Sequence, residues 1–264
     1  MLHFDFPGPG KDVSYHNHSN LSDGAASLEE MCRAAKAAGL REFGMSDHWV
    51  IPPPEIKDVN WRMDPQKLEY YVTELQRLKR ELDSERFTLR IGLEVDFFFE
   101  NASDVIAELK KWPFDYLIGS VHYSGVFPVD HDASDWAPLS PGEIENICEK
   151  YWRKLEGAAL SGFYTFIGHP DLPKKFGYVP EGQYLPHAVR LLDAVRKTGG
   201  AIELNTSGWF KPCKEQYPAC AILKEACARK IPVIINADAH APAHVARNFD
   251  EAAKVLSQAG YPAR

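Results

Sequence analysis

Cysteine is scarce in this chain. Five are present, Cys32, Cys148, Cys213, Cys220 and Cys227. The number is odd and no pair forms a Cys-x-x-Cys unit, which argues against a disulfide framework and for reduced thiols in a cytoplasm. The spacing of Cys213, Cys220 and Cys227 does not suit a cysteine metal site, and Cys220 and Cys227 read as buried helix positions. No stretch approaches the roughly 18 apolar residues of a membrane-spanning helix. The segment MLHFDFPGPGKDV has neither a basic n-region nor a long apolar run, so no signal peptide is expected. Within it, Gly8-Pro9-Gly10 reads as a turn. Positive charge is in deficit. The net charge is −7 and no basic tract occurs, which argues against a nucleic-acid track but leaves room for a pocket that holds one phosphate. A nucleophile elbow and a glycine-rich phosphate loop are also missing, so the usual serine-hydrolase and P-loop signatures are absent.

What is present reads as one large α/β domain spanning 1–264. Apolar residues are 45% and charged residues 25%, ordinary for a globular protein whose core needs no covalent staples. Apolar strands are expected at 13–18, 42–47, 88–98, 116–122, 164–169, 201–206 and 232–238. Helical patterns lie near 27–38, 64–84, 102–111, 141–160, 183–198, 217–229 and 243–258. In LEEMCRAAKAAG, Ser27 can cap, Leu28, Met31 and Ala35 form an apolar stripe, and Gly39 ends the helix. Asp64 and Pro65 open the longer amphipathic helix that follows. Seven strand–helix units in series imply a parallel sheet, closed as a barrel or open and doubly wound. No repeat, low-complexity tract or composition break marks a second domain. Long loops at 49–63 and 123–140, rich in Pro, Trp and Asp, have the length of binding lids.

The polar residues sit at strand ends. The segments read YHNHSNLSDG, GMSDHW, IGLEVDF, IGSVHYSG, FIGHPDL, IELNTSG and INADAHAP. His16, His18, His48, His122, His169 and His240 all fall at carboxyl ends of expected strands. Glu94 and Asp238 fall at equivalent points, and Asp23 lies just beyond the first strand. In parallel α/β folds that edge is where ligands bind. Residues two apart on a strand point the same way, so His16 and His18 form one pair and Asp238 and His240 another. Burying so many ionisable groups without compensation would be very costly, and divalent cations supply the compensation. Imidazoles with carboxylates suit Zn, Fe or Mn rather than Mg or Ca. Nine side chains exceed the needs of one tetrahedral ion and suffice for two or three if a carboxylate bridges.

The motifs HNHSNLSDG, SDH, GLEVDF, GSVHY, GHPD and NADAH resemble the PHP (polymerase and histidinol phosphatase) domain family over about residues 13–259. FDYLIGSVHY, FPVDH, IGHPDLPKKFG and IELNTSG followed by KPCKEQYPA are similar to its histidinol-phosphate phosphatase branch. The resemblance implies a distorted seven-stranded (β/α) barrel of TIM-like form with a trinuclear metal centre. It would place His16, His18, Glu94 and Asp238 on a first ion. Glu94 would bridge to a second, completed by His122 and His169, and Asp23, His48 and His240 would hold a third. Some members have His at the position of Asp23, and an oxygen ligand there favours Mn or Fe. The phosphatase branch often carries a phosphate-gripping Arg in a Leu-Arg pair after the Asn-Thr-x-Gly turn. Here Phe210 stands at that position, with Lys211 or the Lys174–Lys175 pair as possible substitutes.

The activity so implied is hydrolysis of a small phosphate monoester by an in-line, metal-activated hydroxide, with inorganic phosphate as product. Histidinol phosphate is the first candidate substrate. Asp130 or His131 could protonate the leaving group. Arg62, Met63, Tyr123 and Asn205 join the lysines as candidate substrate contacts, with Trp49, Trp61 and Phe127 as further pocket aromatics. Glu203 reads as a strand residue near the site. Two alternatives stand beside this reading: a phosphoesterase acting on nucleotides or oligonucleotides, and a non-catalytic metal-binding domain. The oligomeric state has no signature in the sequence.

Overall fold

Apolar runs broken by glycine or polar pairs give short strands separated by capped helices. The computed structural model describes residues 10–57, 59–179 and 184–262. Most of the turn expected at Gly8–Gly10 therefore lies outside the described residues. Eleven strands occur among those residues: β1 (Val13–Ser14), β2 (Glu42–Met45), β3 (His48–Trp49), β4 (Thr88–Ile91), β5 (Glu94–Asp96), β6 (Ile118–Ser120), β7 (Tyr123–Ser124), β8 (Phe127–Pro128), β9 (Phe166–Ile167), β10 (Ala201–Asn205) and β11 (Val233–Asn236). They form a parallel sheet β1-β2-β4, a parallel sheet β11-β10-β9-β6-β5-β3 and an antiparallel β7-β8 hairpin. The fold is α/β with parallel sheets.

The count differs from the seven strands expected, and the reason is local. The second and third expected strands are each broken in two, after Met45 and after Ile91. At the first break the Glu94 amide is shared between Ser46 O (3.1 Å) and Asp47 O (3.3 Å), an irregularity of the kind a bulge introduces. The Asp47 carboxylate there accepts from Ser19 N and Ser19 Oγ, both at 2.8 Å. The break thus ties the second strand to the loop after β1. The region 123–140, expected to be loop, contains the β7-β8 hairpin and a four-residue helix.

The helices are α1 (Leu28–Ala37), α2 (Leu68–Leu82), α3 (Ala102–Leu109), α4 (Ala133–Trp136), α5 (Pro141–Leu160), α6 (Leu185–Thr198), α7 (Cys220–Ala228) and α8 (Phe249–Gln258). Ser27 caps α1 in a full capping box with Glu30, and Leu28, Met31, Cys32 and Ala35 are buried. Asp64 caps a 3-10 turn at Pro65–Lys67 that leads into α2. Cys220 and Cys227 are half-buried, because they lie in the end turns of α7. All five cysteines are free. No helix among the described residues is long and apolar enough to cross a membrane.

Two layers set the floor of the site. Val13, Tyr15, Tyr116, Ile118, Phe166, Ala201 and Ile234 form an apolar cluster contributed by five strand segments. Tyr116 fits because Gly44 and Gly92 face it. A Cβ at either position would come within 2.3 Å of its side chain. Beyond Tyr116 lies a polar layer of fully buried Asn17, Ser46, Ser120, Glu203 and Asn236. β1 meets β11 there through an Asn17–Ala239 bridge and a bond from Tyr15 N to Asn236 Oδ1 of 2.7 Å.

Candidate metal centre

Parallel strands that end at one edge bring their last side chains together. All nine residues expected to bind metal converge there, and they fall into overlapping groups: His18, Asp23, His48 and His240; His16, His18 and Glu94; His16, His169 and Asp238; His48, Glu94 and His122. Within each group the candidate ligand atoms lie within 4.8 Å of one another. His169 (φ 22°) and Asp238 (φ 49°) adopt left-handed backbone, so the chain turns sharply as β9 and β11 end. For non-glycine residues such backbone is uncommon and clusters at functional sites. The Asp23 loop is turned by Gly24, where a Cβ would stand 2.5 Å from His18 O.

The geometry suits a cation. His16 Nε2 lies 3.3 Å from Glu94 Oε2 and 3.7 Å from Asp238 Oδ1. His18 Nε2 lies 3.7 and 3.2 Å from the same two oxygens. A tetrahedral ion with bonds of roughly 2.0–2.2 Å separates its ligands by roughly 3.3–3.6 Å. His16 Nε2, His18 Nε2 and Glu94 Oε2 are buried with no hydrogen-bond partner, and such orphans call for an unseen partner. The two Glu94 oxygens face different groups. Oε2 serves the His16, His18 and His48 side, with His48 Nδ1 at 2.6 Å. Oε1 faces His169 Nε2 at 2.7 Å and His122 Nε2 at 3.7 Å. Asp23 approaches His48 Nε2 (3.5 Å) and His240 Nε2 (3.3 Å). The residues present fit divalent ions, and a bridging role suits Glu94.

Electrostatics separate the two residue types. Burial works against the Glu94 and Asp238 anions, but the surrounding imidazoles, His16 foremost, hold both carboxyls well below their usual range. Burial also disfavours the His16 cation, and Glu203, Glu94 and Asp238 override it, so its pKa stands well above normal. Burial opposes the His122 cation too, yet Asp96 and then Glu94 lift it to about 10. His18 is pushed down to about 3 by burial and by its neighbours His48 and His240. Pairs driven this far apart mark functional sites more often than packing.

A second ring of acceptors orients the imidazoles. His16 Nδ1 faces Glu203 at 3.0 Å and His122 Nδ1 faces Asp96 at 2.6 Å. His240 Nδ1 faces the Asp238 carbonyl at 3.0 Å. Such contacts fix the tautomer that leaves Nε2 free to bind metal. Glu203 is therefore more than a neighbouring strand residue, and Asp96 was missed. The available signal was its period-two offset from Glu94.

The centre opens into a cavity of about 860 Å³. Its wall includes Trp61 and Tyr123, which come from the two long segments 49–63 and 123–140. Trp61 packs edge-on against His48 and His122 at 4.6 and 5.1 Å. Asp130, His131, Lys175 and Lys211 also line it. His131 sits at the rim with its side chain 72% exposed and Nδ1 2.9 Å from Asp135. Burial opposes the Asp130 charge, but His122 and Lys175 hold its carboxyl below its usual range.

Other expected substrate contacts lie elsewhere. Met63 is fully buried in the core. Arg62 spends its guanidinium on the Val50 carbonyl at 2.6 Å. Lys174 turns away from the cavity to Asp171 (2.9 Å) and Glu215 (2.8 Å), because those carboxylates balance its charge in a partly buried position. Asn205 is fully buried and scaffolds the centre through Glu203 (2.9 Å) and Asp238 (3.1 Å). Trp49 packs in the core and Phe127 packs against Trp136 at 5.0 Å. Arg247 lines the cavity and was not anticipated, since nothing in its sequence neighbourhood marks it.

Comparison with known proteins agrees with this geometry. The chain is 37% identical over 247 residues to "Probable histidinol-phosphatase" of Deinococcus radiodurans, covering 93% of this chain and 92% of that one. It is 28% identical to "Histidinol-phosphatase" of Bacillus subtilis, covering 81% and 87%. The histidinol phosphate phosphatase structure from Lactococcus lactis, described as complexed with Zn, L-histidinol and phosphate, superposes with a TM-score of 0.80 at 20% identity, covering 96% and 95%. The PHP domain profile matches residues 14–207. With nine candidate ligand groups assembled where the parallel strands end and these matches along the sequence, the chain belongs to the PHP domain family.

Proposed function

We propose that this protein is a metal-dependent phosphatase that releases inorganic phosphate from histidinol phosphate or a closely similar small monoester. The observation that carries the reading is the ligand cluster at the foot of a cavity walled by Trp61 and Tyr123. The names of its relatives support the substrate. Two or three divalent ions (Zn, Mn or Fe) would be held by His16, His18, Asp23, His48, Glu94, His122, His169, Asp238 and His240. When bound, they would supply an activated water and neutralise charge on the phosphate oxygens.

The chain's own residues do the rest. Glu203 and Asp96 hold the His16 and His122 rings so that Nε2 faces inward. Trp61 and Tyr123, 6.4 Å apart and nearly parallel, provide an apolar wall for an imidazole. Lys175, tied to the Asp130 carbonyl at 2.5 Å, and Lys211 place positive charge along the cavity. Asp130 and His131, both on the cavity wall, are the candidates to protonate the leaving alkoxide. The whole chain, 1–264, is read as one domain acting in the cytoplasm, which its free cysteines support. Closure of the strands into a seven-membered barrel belongs to the same reading, supported by the Asn17–Ala239 bridge.

The test is phosphate release from histidinol phosphate and from a short DNA strand, each assayed with Mn, Zn and Fe. Release from histidinol phosphate is expected. Release from DNA alone would overturn the substrate. His169→Ala and Asp238→Ala should each abolish turnover while the circular dichroism spectrum persists. Turnover retained in either would contradict the ligand roles.

A further inference from the structure

The site described so far has its candidate metal ligands at its foot and aromatics on its wall, but its cations are unevenly placed. Lys175 is already engaged with Asp130, and Lys174 faces away. A phosphate dianion needs a donor with charge to spare. Arg247 is the only arginine lining the cavity among the described residues. It follows the short 3-10 turn Pro242–His244 beyond the Asp238–His240 segment. Its backbone is pinned by Thr206 Oγ1 to Arg247 O at 2.8 Å and by Arg247 N to His244 O at 3.1 Å. The guanidinium carbon lies 3.6 Å from the centroid of the Phe210 ring. Its Nε is buried and has no hydrogen-bond partner.

These facts fit together in one way. A guanidinium held against an aromatic face is oriented by the ring, and its fork matches phosphate oxygens as a lysine cannot. Phe210 is 46% exposed. It ends the 3-10 turn Thr206–Phe210 that follows β10, on the same cavity wall as Arg247. Ser207, four residues before Lys211 in this segment, also lines the cavity and donates to Asp238 Oδ2 at 3.2 Å. The phosphate-facing wall is therefore continuous from the candidate metal ligand Asp238 to Arg247.

We propose that Arg247, held against Phe210, is the guanidinium that receives the substrate phosphate, and that Phe210 acts as its positioning platform. This rests on the phosphatase reading above. It makes position 210 a support for an arginine supplied from the segment after β11.

The experiment measures the Kd of inorganic phosphate for the metal-loaded protein by calorimetry, with KM and kcat for histidinol phosphate alongside. Arg247→Ala should weaken phosphate binding tenfold or more and raise KM more than it lowers kcat. Phe210→Leu should weaken it less, and its effect should vanish in the Arg247→Ala background. Phe210→Arg in that background should restore affinity to within about threefold of the parent, which loss of packing alone would not permit. If Arg247→Ala does not fold, judged by its thermal melt, Arg247→Lys replaces it, with at least a threefold loss expected. A change below threefold in the arginine variant overturns the proposal, as does a loss that Phe210→Arg does not rescue. A parent protein that binds phosphate but leaves histidinol phosphate intact would instead overturn the substrate reading, and the phosphate Kd values would still decide the role of Arg247.

Discussion

Glu203 is fully buried, and four groups converge on it. His169 N and Asn205 Nδ2 reach Oε1 at 2.7 and 2.9 Å, Asn236 Nδ2 reaches Oε2 at 2.8 Å, and His16 Nδ1 faces both oxygens. Acceptance at both oxygens keeps a proton on His16 Nδ1 and turns Nε2 toward Glu94 and Asp238. Glu203→Gln would turn an NH2 group toward that side. The imidazole would then accept at Nδ1 and carry its proton on Nε2, the atom meant for metal. Metal affinity should fall about 10- to 100-fold, read by competition with a chromogenic chelator, and Asp96→Asn should act likewise through His122. Unchanged affinity in both would mean that these carboxylates only fill space. The contrast with the nine inner residues explains what the sequence reveals. A histidine at a strand end is conspicuous because apolar residues are expected there. A glutamate two places before Asn205 carries no such mark, and Arg247 has meaning only beside a ring 37 positions away in sequence.

At the scale of elements, the helices were more legible than the strands. Ser27 and Glu30 announce α1 by a local hydrogen-bond exchange that needs no tertiary partner. The breaks after Met45 and Ile91 depend on contacts with other strands, so they leave no periodic trace. Helix α4 is a single turn, too short for periodicity. Helix α5 carries a separate consequence. Lys154 lies on its inner face, 7% exposed, with Nζ bonded to Tyr123 O at 2.8 Å and 3.9 Å from the Phe98 centroid. Burial depresses its pKa from 10.5 to about 8, against weaker support from Asp96 and Glu100. Below pH 8 both folded and unfolded chains hold the proton, and the cost of burying the charge, about 3 kcal/mol, stands in full. Between pH 8 and 10.5 only the unfolded chain keeps it, so this group makes the fold more stable as pH rises through that window. Lys154→Met should remove that contribution. Urea midpoints at pH 7.5 and 9.5 should therefore rise more in the parent than in the variant, and equal changes in both would place the ammonium in contact with water.

For the whole molecule, the decisive feature is that the parallel strands send their carboxyl ends to one edge. That much follows from alternating strand and helix patterns, which is why nine candidate ligand residues spread from His16 to His240 could be gathered from sequence. Their sorting could not be. The resemblance assigns His18 to the first ion, yet His18 also groups with Asp23, His48 and His240, because its ring lies 4.1 Å from that of His48 and 4.4 Å from that of His240. Spacing along a chain says nothing about which rings stack across an edge. If the proposed ions bind, the same convergence should make the folded state depend on them. Carboxylates and imidazoles with orphaned atoms sit at the centre of the protein, so an ion that binds the folded chain alone stabilises it by mass action. At a free concentration a thousand times Kd, one such site contributes about 4 kcal/mol. Protein stripped with a strong chelator should melt well below the loaded form and recover on adding Mn or Zn, with at least two ions per chain by elemental analysis. The shift should largely disappear in Asp238→Ala, which removes an oxygen facing both His16 and His18. A stripped protein that melts with the loaded one would mean that the nine groups balance one another without metal.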